Sequence, residues 1–300
     1  MSQGSFSIIP TPPFRLDLTV WALRRRPENA VDRWDGETYR RTLMIDRKAV
    51  EVVVHQSGRR EAPQLEVDWS GDYLTVGQEE SARALLERML GAHKDLKAFY
   101  KLATCDPRLQ PLVDEFRGLK PPQFPTVFEA VVNGIACQQL SLLVGILLLS
   151  RLAHRAGVMP AKAMDAAHAF PDAADLTGMK APSLKSLGFS GNKSRALLGI
   201  SSAIRDRRLN LQSLVQLDNQ LALERLMELK GVGRWTAEYV LLRGLGRLDV
   251  FPGDDVGARK NLAQFLRKKK PLDYEGVHRA VTGWQPYAGL VYFHLLLARI

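Results

Sequence analysis

The stretch Leu229–Asp255, LKGVGRWTAEYVLLRGLGRLDVFPGDD, constrains the fold more than any other part of the chain. Upstream of it, Leu223, Leu226 and Met227 recur at helical spacing, which predicts a helix running to about Leu229. Gly231 and Gly233 then predict a tight turn, because glycine alone enters left-handed backbone conformations cheaply. A second helix is expected from Trp235, with Trp235, Tyr239 and Leu242 on one face, ending at Gly244 or Gly246. Pro252-Gly253 breaks the chain just before Asp254-Asp255. Such a turn aims the first N–H groups of a helix at solvent, a ready place for a phosphate. A dinucleotide-binding loop fits poorly, since it would follow a strand and carry a third glycine where Thr236 stands. A plain helix–helix turn does not explain why the turn, Thr236-Ala237, an apolar helix and paired carboxylates follow in this order.

The string Leu-x-Gly-Val-Gly-x-x-Thr-Ala, with Asp255 eighteen residues beyond Ala237, resembles the helix-hairpin-helix and catalytic-aspartate signature of base-excision DNA glycosylases. Two further stretches are similar to the alkylpurine, 3-methyladenine DNA glycosylase II branch of that superfamily. One is Phe-Glu-x-x-Val-x-x-Ile-x-x-Gln-Gln-x-Ser, from Phe128 to Ser141, which in that branch carries a minor-groove loop. Gln139 stands where the branch often has a leucine wedge. The other is Trp284-x-Pro286-Tyr287 ahead of an apolar helix, which in the branch returns an aromatic ring to the base pocket. Between them, Leu-Gly-x-Ser-x-x-Lys-Ser from Leu187 to Ser194 is common in the superfamily and packs beside the hairpin.

Composition agrees with a DNA partner. The chain has 300 residues, 46% apolar content and a net charge of +10, which favours an anionic partner, usually nucleic acid. Two cysteines, Cys105 and Cys137, supply neither a disulfide framework nor a four-cysteine iron–sulfur cluster. No histidine lies at a metal-ligand spacing, and His294 reads as a packed residue. The N-terminus lacks the pattern of a signal peptide. Leu140–Leu149 is too short to span a bilayer and is expected as a buried helix. A soluble, cytoplasmic monomer without membrane contact is expected, nucleoid-associated if bacterial.

The expected fold is α+β: a mainly helical helix-hairpin-helix core with a small N-terminal antiparallel β-sheet domain. Residues 1–80 form the β-rich part. There FRLDLTVWAL alternates around Leu16, Leu18 and Val20, and YRRTLMID, AVEVVVHQ and QLEVDWS predict successive strands. The arginine pairs and triplet there (Arg24–Arg26, Arg40-Arg41, Arg59-Arg60) fit solvated strand faces slightly better than DNA contacts. Residues 81–300 form helical domains, with the active-site cleft between helical subdomains. Within Phe128–Leu149, the amides of Gln138 and Gln139 interrupt an apolar run and need partners, either neighbouring backbone or a polar cleft.

The resemblance implies the following roles. Asp255 is the catalytic carboxylate, Asp254 being the less well aligned of the pair, and one of the two serves as a helix N-cap. Trp235, Tyr239, Tyr287 and Phe128 line the base pocket. Gln138, Gln139, Ser141, Gly231, Val232, Gly233, Arg234 and Thr236 face DNA. The backbone carbonyls of Met227, Leu229 and Val232 hold a Na⁺ or K⁺ that bridges to a phosphate, and catalysis needs no cofactor. Lyase members of the superfamily carry a lysine nucleophile where this chain has Trp235, so a monofunctional enzyme is expected. Its substrate would be double-stranded DNA with cationic alkylated purines such as 3-methyladenine or 7-methylguanine, selected by cation–π attraction to the aromatic set. The competing readings are a glycosylase for another lesion, such as 8-oxoguanine, and a non-catalytic helix-hairpin-helix DNA-binding protein.

Overall fold

The computed structural model describes residues 2–160 and 168–298. Five strands, β1 (Ser2–Ile8), β2 (Arg33–Trp34), β3 (Thr38–Ile45), β4 (Lys48–Gln56) and β5 (Leu65–Gly71), form one antiparallel sheet in the order β1-β5-β4-β3-β2. The strands expected in YRRTLMID, AVEVVVHQ and QLEVDWS are β3, β4 and β5. The edge strand β1 was not expected, because SQGSFSI carries only two apolar side chains on its inner face, Phe6 and Ile8. Helix α1 (Leu16–Arg24) replaces the strand that FRLDLTVWAL suggested. Its alternation has a simple cause: the helix is buried on two faces. Leu16, Val20 and Leu23 pack into the sheet's core, while Leu18 and Ala22 pack into a helical core on the other side.

The remainder is helical: α2 (Val76–Met89), α3 (Lys97–Thr104), α4 (Leu109–Glu115), α5 (Val127–Cys137), α6 (Leu142–Ala156), α7 (Ala173–Thr177), α8 (Ala181–Ser186) and α9 (Gly191–Arg205). These are followed by α10 (Asn219–Met227), α11 (Arg234–Arg243), α12 (Val256–Phe265), α13 (Tyr274–Val281) and α14 (Ala288–Leu297). None of the described helices is long and apolar enough to cross a membrane. Helix α2 spans residue 80, and its Ala82, Leu86 and Met89 complete the core under the sheet. The helices divide into two further cores. One gathers α5 to α11 around Val131, Ile135, Leu197 and Val240; the other gathers α3, α4 and α12 to α14 around Phe99, Leu262 and Leu290.

A buried ion network ties the sheet to the first helical core. Arg41 on β3 donates to Asp32 at 2.7 Å and to both carboxylate oxygens of Glu129 on α5 at 2.7 Å, while Tyr39 donates to Asp32 at 2.7 Å. Removing one partner of such a group strands a buried charge, at a cost of about 3–5 kcal/mol.

The expectation of a fully buried helix over Leu140–Leu149 is corrected. Ser141 caps α6, and Leu140, Leu142, Leu143 and Val144 lie 36–42% exposed at its start. Burial begins at Gly145 and Ile146. The exposed apolar corner follows directly on Gln138-Gln139 and opens onto the cleft described next.

Candidate active site

The hairpin is built as the sequence suggests, but its two glycines do different work. Gly231 has φ of +89°, and a Cβ there would lie 2.6 Å from Ala196 Cβ on α9, so only glycine fits. Gly233 has φ of −96°, which any residue adopts, and a Cβ there meets nothing within 4 Å. The left-handed expectation for Gly233 is therefore corrected. It is the N-cap of α11, without a side-chain cap, so the first N–H groups of the helix remain open. Val232 N–H closes the turn on Leu229 O at 2.9 Å.

Gln138 and Lys193 hold this turn against the end of α5. Gln138 Nε2 donates to Gly231 O at 2.8 Å and to Thr236 Oγ1 at 2.7 Å. Thr236 itself is buried. Both residues thus brace the turn while also lining the cleft. Lys193 Nζ donates to the carbonyls of Ala136 at 2.9 Å and Gln138 at 2.7 Å, satisfying the last carbonyls of α5. Gln139 adopts a positive φ of 54° and stands exposed with Leu140 and Ser141 at the mouth of the cleft.

The cleft has a volume of about 1620 Å³ and lies between the two helical cores, with the hairpin on one side and the end of α1 on the other. Asp255 sits on its wall as the N-cap of α12. Its Oδ1 accepts from Ala258 N–H at 2.8 Å, while Oδ2 accepts from Trp235 Nε1 at 3.2 Å and Tyr292 OH at 3.1 Å. Burial and the neighbouring carboxylate push the Tyr292 phenol well above its ordinary value, so it stays a donor. Asp254 is engaged elsewhere: Arg234 Nε binds it at 2.7 Å, and the Arg234 guanidinium lies 3.6 Å from the centre of the Tyr274 ring.

The bend that presents the two aspartates is clamped by a residue the sequence did not flag. Buried Glu238 accepts from Gly253 N–H at 2.9 Å and Tyr274 OH at 2.7 Å. Burial raises its carboxyl to about 7, against the pull of those two hydrogen bonds. In sequence it is one carboxylate in the middle of a helix, with nothing to mark its partners fifteen and thirty-six residues away.

The aromatic set is partly as expected. Trp235 and Tyr239 line the cleft with ring centres 5.5 Å apart. Phe128 and Tyr287 do not line it. Phe128 is buried in the first helical core, and Tyr287 packs on Phe99 with ring centres 5.6 Å apart. The last helix still returns a ring to the site, but from Tyr292, one turn further on. The arginine triplet is also corrected: Arg24 ends α1, and it lines the cleft together with Arg25 and Arg26. Arg25 Nη1 donates to Tyr239 OH at 2.9 Å. Buried Arg243 places its guanidinium 5.6 Å from the Tyr239 ring centre, so protein cations already occupy that ring's surroundings. No lysine lines the cleft among the described residues. His294 is buried and packed, its Nδ1 2.9 Å from Leu290 O, and burial lowers it to about 4.

Comparison with known proteins agrees with this geometry. The sequence is 29% identical over 206 residues to a DNA-3-methyladenine glycosylase of Bacillus subtilis, covering 67% of this chain and 68% of that one. It is 26% identical over 290 residues to a putative DNA-3-methyladenine glycosylase of the same organism, YfjP, covering 95% and 96%. In structure it superposes on a 3-methyladenine DNA glycosylase from Archaeoglobus fulgidus with a TM-score of 0.84, 24% identity and 97% coverage of both chains. It also matches the fold of an 8-oxoguanine glycosylase/lyase from Clostridium acetobutylicum, with a TM-score of 0.74, 17% identity and coverage of 98% and 96%. A family model described as HhH-GPD superfamily base excision DNA repair protein matches residues 132–286, more than half of the chain. With the hairpin, the capped aspartate and the cleft between helical cores in place, the chain belongs to the HhH-GPD superfamily of base excision DNA repair proteins.

Proposed function

We propose that this protein is a monofunctional DNA glycosylase that removes alkylated purines from double-stranded DNA by hydrolysis of the N-glycosidic bond. The observation that carries this reading is Asp255, a carboxylate held by Trp235, Tyr292 and a backbone N–H on a cleft wall that has no lysine among its described residues. The damaged nucleotide leaves the stack and enters the cleft, where Trp235 offers its ring for stacking. The C1′–N bond breaks with its electron pair departing on the base, and positive charge builds on the sugar. Asp255 stabilises that charge and accepts a proton from the water that adds to C1′. Lyase chemistry would need an amine to attack C1′, and the indole of Trp235 occupies the position where a relative's lysine would stand.

The open N–H groups at the start of α11 take a DNA phosphate. The carbonyls of Met227, Leu229 and Val232 are hard, uncharged donors, which suits Na⁺ or K⁺ beside that phosphate. The Leu229 carbonyl already accepts one hydrogen bond and has a second lone pair to offer. The exposed corner of Gln139 and Leu140 fills the gap in the duplex.

The names of the relatives, DNA-3-methyladenine glycosylases, support alkylated bases as the substrate class. Base release from duplexes that each carry one lesion tests the reading. Release of 3-methyladenine or 7-methylguanine, with little from 8-oxoguanine duplexes, is expected. Release confined to 8-oxoguanine would overturn the alkylpurine assignment.

A further inference from the structure

We propose that Asn261 is a specificity residue whose Oδ1 accepts an N–H from the far edge of the extruded purine. The inference rests on the glycosylase reading above and deepens its substrate class. Purines methylated on ring nitrogens away from that edge are favoured, and purines whose edge is closed by an added ring are disfavoured.

Position comes first. Asn261 lies on α12 six residues beyond Asp255, which is about 9 Å along the helix axis. Asp255 serves the sugar carbon at one end of the nucleotide, so Asn261 stands toward the other end, at the far edge of the base. There α12 and α14 pack with α1 in the second helical core, around Ala22, Leu262 and Leu295. The cleft lining beside it is apolar, from Val256, Phe293 and Leu296, and Asn261 is a polar side chain set among them. A few placed polar groups in an apolar pocket fix a ligand's orientation.

The direction of the amide is fixed from behind. Asn261 Nδ2 donates to Leu295 O at 2.9 Å, a carbonyl in the last turn of α14, where helix carbonyls lack intrahelical partners. The amide nitrogen donates and does not accept, so turning it to the cleft would forfeit that bond. Oδ1 is left free, with no donor among the described residues. Other carboxylate acceptors that line the cleft are committed. Asp255 takes three donors, Asp254 takes Arg234, and Asp17 takes Arg15.

The two expected substrates both supply the missing donor. At that edge 3-methyladenine presents its amino group and 7-methylguanine presents N1–H. Both bases are cationic in DNA, so the bond to Oδ1 is charge-assisted. Ethenoadenine has no N–H there, because its added ring joins N1 to the exocyclic nitrogen. A site built around a hydrogen bond rejects the analogue that lacks it, since its own polar group is then left unpaired.

Aspartate and leucine separate reading from capping. Asn261→Asp removes the amide donor but keeps an oxygen for the cleft whether or not it is protonated. Asn261→Leu removes donor and acceptor together at similar volume. Single-turnover release of 3-methyladenine and 7-methylguanine from methylated duplex, and of ethenoadenine from a duplex carrying it, is measured for the wild type and both variants. Melting temperatures are recorded for all three proteins. Asn261→Leu should release both methylated bases about 10-fold more slowly or worse, as for loss of a charge-assisted hydrogen bond. Ethenoadenine, which the wild type should release slowly, should not be slowed further. Asn261→Asp should keep both methylated bases close to wild type. If both variants lose the methylated bases alike, Asn261 only caps α14 and the inference is wrong. If neither variant loses them, no base N–H meets Oδ1 and the inference is equally wrong. A loss in Asn261→Leu that extends equally to ethenoadenine would also overturn it, because the edge would then not be what is read. Should the wild type release none of the three bases, the failure lies with the glycosylase reading itself.

Discussion

The two walls of the cleft differ in origin and in how they are held. The hairpin wall comes from α11, the bend at Pro252-Gly253 and the start of α12, all within eighteen-residue reach of a recognisable motif. Its groups are fixed by short-range devices: an N-cap, a glycine turn and a clamped bend. The opposite wall comes from the end of α1, more than two hundred residues earlier, and is fixed by side chains reaching across the cleft, as Arg25 reaches Tyr239. In the proposed function the chemistry belongs to the hairpin wall, and the wall of arginines borders the base. Changes on the first should lower every rate together, whereas changes on the second should alter the order of substrates.

The largest effect on the hairpin wall is expected from Asp255→Asn. Base release should fall by about 10³-fold or more, as for loss of a group that stabilises transition-state charge, while lesion-DNA affinity changes little. A near-normal rate would move the chemistry to Asp254, which is now paired with Arg234. Glu238→Ala should follow, since it frees the bend that presents Asp255. A displacement of about 1 Å at a reacting group costs on the order of 10²-fold, read as kcat with KM nearly unchanged. Trp235→Ala removes both a stacking surface and a donor to Asp255, and should cost about 10- to 100-fold on every lesion. A loss confined to one lesion would instead make Trp235 part of the selecting wall.

Smaller effects distinguish the two hairpin glycines. Gly231→Ala must push against Ala196 and hold a strained φ, so thermal stability should drop by about 1–3 kcal/mol. Gly233→Val has room within the fold and should leave the melting temperature nearly unchanged. It should weaken binding to damaged and undamaged duplexes alike, because phosphate contacts carry no sequence information. The smallest expected effect is on pH. Glu238 is raised from 4.5 to about 7 by burial, so its neutral form belongs to the folded state. Its contribution to stability is present below about 4.5 and is lost as pH rises through about 7. Glu238→Gln, neutral at every pH, should flatten that part of the stability profile, with His278 at 3.7 Å left as the other titrating neighbour.

Much of the hairpin wall was legible because its signals are local. Gly231, the helix behind Trp235 and the aspartate after Pro252-Gly253 all sit within one continuous stretch. The sheet was legible where strands alternate, in β3, β4 and β5. What failed did so for identifiable physical reasons. Helix α1 mimicked a strand because it is buried on two faces, and the error hid the arginines that follow it. Tyr287, beside Pro286, matches a motif, whereas the helical turn that aims Tyr292 at Asp255 is a matter of packing and leaves no local mark in the sequence. That the amide of Gln138 needs a partner is legible from the apolar run around it, but not that the partner is the hairpin's own carbonyl, far away in sequence.

In the proposed mechanism Asp255, a carboxylate on the hairpin wall, acts without an amine nucleophile. The fate of the sugar tests it most directly. Wild-type protein is incubated with an alkylated duplex in the presence of borohydride, and the DNA is then resolved for strand breaks and for covalent protein adducts. An intact strand carrying an abasic site, with no trapped complex, is the predicted result. A borohydride-trapped adduct accompanied by strand cleavage would contradict it.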